Sequence, residues 1–158
     1  MTKRIAHLGI AVRSLEEAIP FYRDTLGLTF GGIEEVPGYG VKVAFLVAGE
    51  SKLELLEPTS KDGMVGEFLR AHGPGFHHVA FEVDDIEAAI EACTARGVGM
   101  IDRAPRLGAH GARVAFVDPG SSGSVLTELL QLPDATASRS NIGGSGVTNC
   151  ATVLRRTR

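Results

Sequence analysis

Two histidines and two glutamates have the types and the setting to do chemistry together. His7 begins the run "HLGIAV" and His78 begins "HVAFEV", while Glu54 lies in "KLELLE" and Glu128 in "VLTELLQ". Each glutamate has leucines on both sides, and a carboxylate buried there without a partner is costly. It needs a cation or a hydrogen-bond donor. Two imidazoles and two carboxylates suit a divalent first-row metal that keeps positions open for water or substrate. Taken singly, each residue has a plainer reading: a strand histidine is more often a core or surface residue, and a strand glutamate more often faces water at an edge. The metal is favoured because the four residues form two matched pairs.

The match is an internal duplication. "HLGIAVRSLEEAI" (7–19) falls on "HVAFEVDDIEAAI" (78–90) without a gap, at an offset of 71, and "GVKVAFL" (40–46) falls on "GARVAFV" (111–117) at the same offset. "KLELLE" (52–57) then matches "LTELLQ" (126–131) at an offset of 74. Three separated blocks keep their order and nearly their spacing, as a repeated structural unit requires.

Each half predicts the same elements. A strand (5–12, 77–83) leads to Ser14 or Asp85 as N-cap with acidic residues in the first turn. A helix follows (15–25, 86–96) and ends near Gly27 or Gly97. Three strands complete the unit: 28–35, 41–48 and 51–57, then 99–103, 112–118 and 124–131, divided by turn clusters such as "VPGYG" and "DPGSSG". The unit is βαβββ, used twice. The expected organisation is a first module at 1–57, a linker with a short helix at 58–75, a second module at 76–133 and a Ser-, Thr- and Gly-rich flexible tail at 134–158. The expected fold class is α+β, an eight-stranded half-open barrel-like sheet with helices outside.

Alternation along a strand puts His7, Gly9 and Ala11 on one face, and His78 and Ala80 on the matching one. Leu8, Ile10 and Val12, with Val79, Phe81 and Val83, then face the helices. The same alternation turns His77 away from the site, so His77→Ala is expected to leave metal content intact. His72 and His77 have no partner in the repeat and read as structural or exposed. His110, in "GAHG", reads as a loop residue, and Glu57 and Glu82 as solvent-facing strand-end residues.

These residues and the longer motifs "FYRDTLGL", "GFHHVAFEVDDIEAAI", "APRLGAHG" and "GSVLTELLQ" resemble the vicinal oxygen chelate superfamily, and within it the methylmalonyl-CoA epimerases. The resemblance covers about residues 4–132. It implies that His7, His78 and Glu128 bind one divalent metal ion (Co2+ first; Mn2+, Mg2+, Zn2+ or Ni2+ otherwise), with Glu54 at the place of the remaining ligand. It further implies an acyl-CoA substrate, α-proton transfer through a stabilised enolate, Glu128 and Glu54 as catalytic groups, and a homodimer. Several family members carry glutamate where this chain has Val43, so the second base falls to Glu54, His110 or a bound water. Lys42, Arg103, Arg106 and Arg113 are available for the CoA phosphates. Two other readings on the same scaffold are a glyoxalase I-like lyase and a ligand-binding protein without catalysis.

Composition agrees with a soluble enzyme. The chain has 158 residues, 44% hydrophobic and 22% charged, with a net charge of -3, which gives no reason to expect a nucleic-acid partner. No run approaches the length of a membrane span, and the N-terminus does not read as a signal peptide. Cys93 and Cys150 lack metal-type spacing and are not expected to pair, so a cytoplasmic location is expected.

Overall fold

The structure, a computed structural model, describes residues 2–133; the expected tail lies outside the described residues. Eight strands form one sheet in the order β2-β3-β4-β1-β5-β8-β7-β6. The first half contributes β1 (Thr2–Ala11), α1 (Leu15–Pro20), β2 (Thr29–Val36), β3 (Val41–Ala48) and β4 (Ser51–Pro58). After α2 (Met64–His72) come β5 (Gly75–Val83), α3 (Ile86–Ala95), β6 (Arg106–Leu107), β7 (Arg113–Val117) and β8 (Thr127–Gln131). The sheet curls into the expected half-barrel, and antiparallel β1 and β5 form its central seam. Among the described residues no helix is long and apolar enough to cross a membrane.

The duplication is exact in the packing on the convex side. Beneath α1 lie Val12, Leu15, Ile19, Ala44, Leu46 and Leu55; beneath α3 lie Val83, Ile86, Ile90, Ala115, Val117 and Leu129. These are the same six positions of the repeat. Both helices start as expected: the Ser14 side chain accepts from the Glu17 amide and Asp85 from the Ala88 amide. Gly27 and Gly97 follow the helical segments at φ +73° and +75°, a left-handed turn that glycine adopts without a Cβ clash. A second pair of supports was missed in the sequence. Glu57 accepts from the Leu15 amide at 2.6 Å and Gln131 from the Ile86 amide at 3.0 Å, so the last strand of each module caps its own helix. Glu57 therefore does not simply face water.

Two segments depart from the reading. α1 stops at Pro20, whose ring nitrogen has no proton for the Glu16 carbonyl, and the chain widens into a π-helical turn at Phe21–Thr25. The expected strand at 99–103 is reduced to a single bridge between Met100 and Val117. Beyond it, the buried Asp102 carboxylate takes the Phe116 amide at 3.0 Å, where a strand carbonyl would have done so. Pairing with β7 resumes only in the two residues of β6.

The concave side holds α2 and the site. Val65 of α2 is buried with Ala11, Val36, Val41, Val43 and Leu56, and Phe68 and Leu69 pack on this cluster. The convex back of β1 and β5 is less covered than expected. Ile5, Leu8 and Ile10 pair with Phe81, Val79 and Phe76, but Ile5 is 56% and Phe76 50% exposed.

Candidate metal centre

The repeat brings the four expected residues onto adjoining strands in matching register. Glu54 on β4 pairs with Gly9, and Glu128 on β8 pairs with Ala80, the position of the repeat that corresponds to Gly9. On their other sides the two glutamates pair with Phe45 and Phe116, again equivalent positions.

His7, His78 and Glu128 are all buried and meet. The two Nε2 atoms are 3.0 Å apart, and Glu128 Oε2 lies 3.4 Å from His78 Nε2 and 4.0 Å from His7 Nε2. The point equidistant from these three atoms is about 2.1 Å from each, the length of a metal–nitrogen or metal–oxygen bond. Glu54 stands behind the group, its Oε1 3.3 Å from His7 Nδ1, the ring nitrogen that points away from the triad. A proton on His7 Nδ1, donated to Glu54, leaves Nε2 as a bare lone pair facing the centre. Two nitrogens and a carboxylate oxygen so arranged fit a divalent cation.

Alternation fails at one informative place. The β1–β5 register passes from Gly9↔His78 to Ile10↔Phe76, which leaves His77 as the extra residue of a β-bulge. Its imidazole is consequently on the same side of the sheet as His78, buried against Phe68 of α2. His77 is not among the three grouped residues, but it is not turned away either. Its Nδ1 is 2.8 Å from His78 Nδ1. Gly9 provides the room for His78: a Cβ there would stand 2.3 Å from Cε1 of the ring. Phe116 closes the other edge of His78, perpendicular at 5.6 Å between ring centres.

Burial governs the electrostatics. It lowers the pKa of His7 to about 4, and Lys52 adds to the effect. It likewise depresses His78, with His7 and His77 contributing. Burial raises Glu54 to about 8 and takes Glu128 well above the usual carboxylate range, helped by Glu54 and Asp102. Without a cation the centre thus favours neutral rings and protonated carboxyls.

The other candidates lie elsewhere. His110 is at the rim in a left-handed conformation (φ +53°), stacked on Phe45 at 4.2 Å and 2.9 Å from Glu34. Glu82 is buried rather than solvent-facing, held by Arg4 at 2.7 Å. His72 is exposed and touches Phe68. Val43 is buried in the apolar cluster under α2. Sequence reasoning missed Asp102 and Tyr39, whose ring meets Phe116 at 6.0 Å and whose hydroxyl is buried without a partner among the described residues.

A doubled βαβββ sheet with two histidines and a glutamate converging inside it defines a class. The Glyoxalase/Bleomycin resistance protein/Dioxygenase superfamily matches residues 6–116, and the chain belongs to that superfamily. Its relatives there include mitochondrial methylmalonyl-CoA epimerase of Mus musculus, 39% identical over 129 residues, 81% of this chain and 72% of the mouse protein. The uncharacterized protein YqjC of Bacillus subtilis is 43% identical over 128 residues, 81% of this chain and 91% of YqjC. Streptomyces coelicolor methylmalonyl-CoA epimerase, solved in complex with 2-nitronate-propionyl-CoA, superposes with a TM-score of 0.80 at 36% identity, over 85% of this chain and 97% of that one. The resemblance to the epimerases holds, and with it the isomerase class of enzyme.

Proposed function

We propose that this enzyme interconverts the 2R and 2S forms of methylmalonyl-CoA by removing and returning the proton between the thioester and the carboxylate. His7, His78 and Glu128 would hold one divalent ion, Co2+ by preference, although Mn2+, Mg2+, Zn2+ and Ni2+ also accept this donor set. When bound, that ion supplies Lewis-acid stabilisation of the negative charge left as the proton departs. Inversion needs a proton group on each face of the substrate carbon. We assign these roles to Glu128 and Glu54. Burial shifts Glu54 toward its protonated form, so it can present a proton while an ionised Glu128 accepts one. With Oε1 turned to His7, Oε2 of Glu54 is the oxygen left to carry that proton. Val43 takes no part.

The observation that carries the proposal is the Nε2, Nε2 and Oε2 triangle of His7, His78 and Glu128, in a chain related to methylmalonyl-CoA epimerases. The basic residues near the rim are partly engaged already. Arg113 is paired with Glu87, and Arg106 bonds the Gly38 carbonyl while lying over the Tyr39 ring. Lys42 and Arg103 are exposed, but Arg103 lies beside Ile90 and Thr94 of α3 and Lys42 alternates with the buried Val41 and Val43, so both are on the convex side, away from the centre. The test is deuterium incorporation at the α-carbon of methylmalonyl-CoA, followed by NMR with and without chelator. We expect exchange that stops on chelation and resumes on adding Co2+. Full exchange in a verified metal-free sample would end the proposal. Turnover of a glutathione hemithioacetal without α-proton exchange would favour the lyase reading.

A further inference from the structure

We infer that His77 is a positioning residue: it accepts a hydrogen bond from Nδ1–H of His78 and so fixes the tautomer that turns a bare Nε2 toward the centre. This rests on the reading of His78 as a metal ligand and extends it to the residue behind it.

The local geometry carries the argument. The Nδ1 atoms of His77 and His78 are 2.8 Å apart, both residues are buried, and their rings stand nearly perpendicular, at 82°. One of the two nitrogens must donate and the other accept. The ligand role of His78 decides which. Its Nε2 lies 3.4 Å from Glu128 Oε2 and 3.0 Å from His7 Nε2, and a neutral ring that offers this nitrogen's lone pair to the centre carries its one proton on Nδ1. His78 Nδ1 is therefore the donor and His77 Nδ1 the acceptor.

The repeat shows why a histidine is needed here. The position equivalent to His77 is Ala6, and it too is skipped in the strand register, between Ile5↔Phe81 and His7↔Ala80. Ala6 offers no acceptor. His7 instead has Glu54 behind its Nδ1, at 3.3 Å. His78 cannot be served in the same way, because the equivalent Glu128 is turned to the centre, 3.4 Å from Nε2 of that ring. The bulge lets the neighbouring residue take the place that a carboxylate fills in the first half. Partners of this kind on metal-bound histidines change metal affinity by about 10–100-fold.

The experiment measures Co2+ affinity of the full-length apoprotein by competition with a chelating dye, for wild type, His77→Ala, His77→Gln and His78→Ala. It needs no substrate. We expect His77→Ala to lose about 10–100-fold in affinity, and His77→Gln, whose side-chain carbonyl can accept from His78 Nδ1–H, to recover most of it. Wild-type affinity in His77→Ala, with His78→Ala impaired, would overturn the positioning role and leave the metal site standing. Wild-type affinity in His78→Ala would overturn the site itself. Because a variant can fail to fold, the tautomers are also read in the Zn2+-loaded wild type by 15N–1H correlation NMR. A proton on Nε2 of His77, with Nδ1 free to accept, supports the inference, and a proton on Nδ1 of His77 refutes it. Absence of epimerase activity, with these results intact, would count against the proposed substrate alone.

Discussion

Gly9 lacks a side chain where the His78 ring takes up the space one would need. A methyl group there would lie 2.3–2.9 Å from three atoms of the ring, so Gly9→Ala must push the imidazole out of line. We expect that variant to fold, with an overpacking cost of about 1–3 kcal/mol, but to bind metal at least about tenfold more weakly. Circular dichroism and metal titration check the two halves of this expectation. The titrating groups give a second prediction. Glu54, raised to about 8 from an ordinary value of 4.5, binds its proton more tightly in the folded protein. The stability this contributes is complete below pH 4.5 and is lost as pH rises toward 8; Glu128 acts in the same sense. His7 and His77, both lowered to about 4 from 6.5, act oppositely, and their contribution is complete above pH 6.5. Between pH 6.5 and 8 the carboxyls alone are changing in this set. The Tm of the metal-free protein should fall across that interval, while Co2+, which favours ionised Glu128, should flatten the fall. A rising apoprotein Tm over the same range would contradict the assignment.

At the scale of elements, the helix supports lie outside the helices. Glu57 reaches from β4 to the first amide of α1, so Glu57→Ala should cost about 1–2 kcal/mol in urea unfolding, and Glu57→Gln much less, since Gln131 performs the same task for α3. The order of strands and helices was legible because the same sequence of apolar residues, caps and turns occurs twice, and each copy checks the other. The pairing of His7 with His78 followed from that register. Other features had no such signature. A β-bulge shows nothing in side-chain types, so His77 reads as facing away until the pairing with Gly9 is seen. Asp102 looks like a strand-end acid in "MIDRAP", and only the neighbouring strand reveals that its carboxylate replaces a backbone partner. Glu82 is drawn inward by Arg4, which lies 78 positions away in the chain, beyond the reach of local pattern.

Across the whole molecule, the central seam has one worked face and one bare one. The helices cover the flanks of the convex side, and the strip of Ile5, Leu8, Ile10, Phe76, Val79 and Phe81 is left between them. An apolar strip of this kind suits association with a second copy, and we propose a homodimer formed through it. Light scattering should give twice the chain mass, and Phe76→Glu should shift it to the monomer; a monomeric wild type would dismiss the proposal. The joint between the halves has another consequence. Residues 59–62, before α2, are exposed, whereas Val65 and Phe68 are anchored in the first half's apolar cluster. His7 lies before this segment, and His78 and Glu128 after it. A single proteolytic nick at Lys61 would therefore divide the chain into two fragments that hold incomplete portions of one coordination set. Their affinity for each other would then depend on metal concentration, with about 2.7 kcal/mol added when free ion exceeds its Kd a hundredfold. The ion proposed for the intact enzyme would become, in the split one, the ligand that regulates complementation.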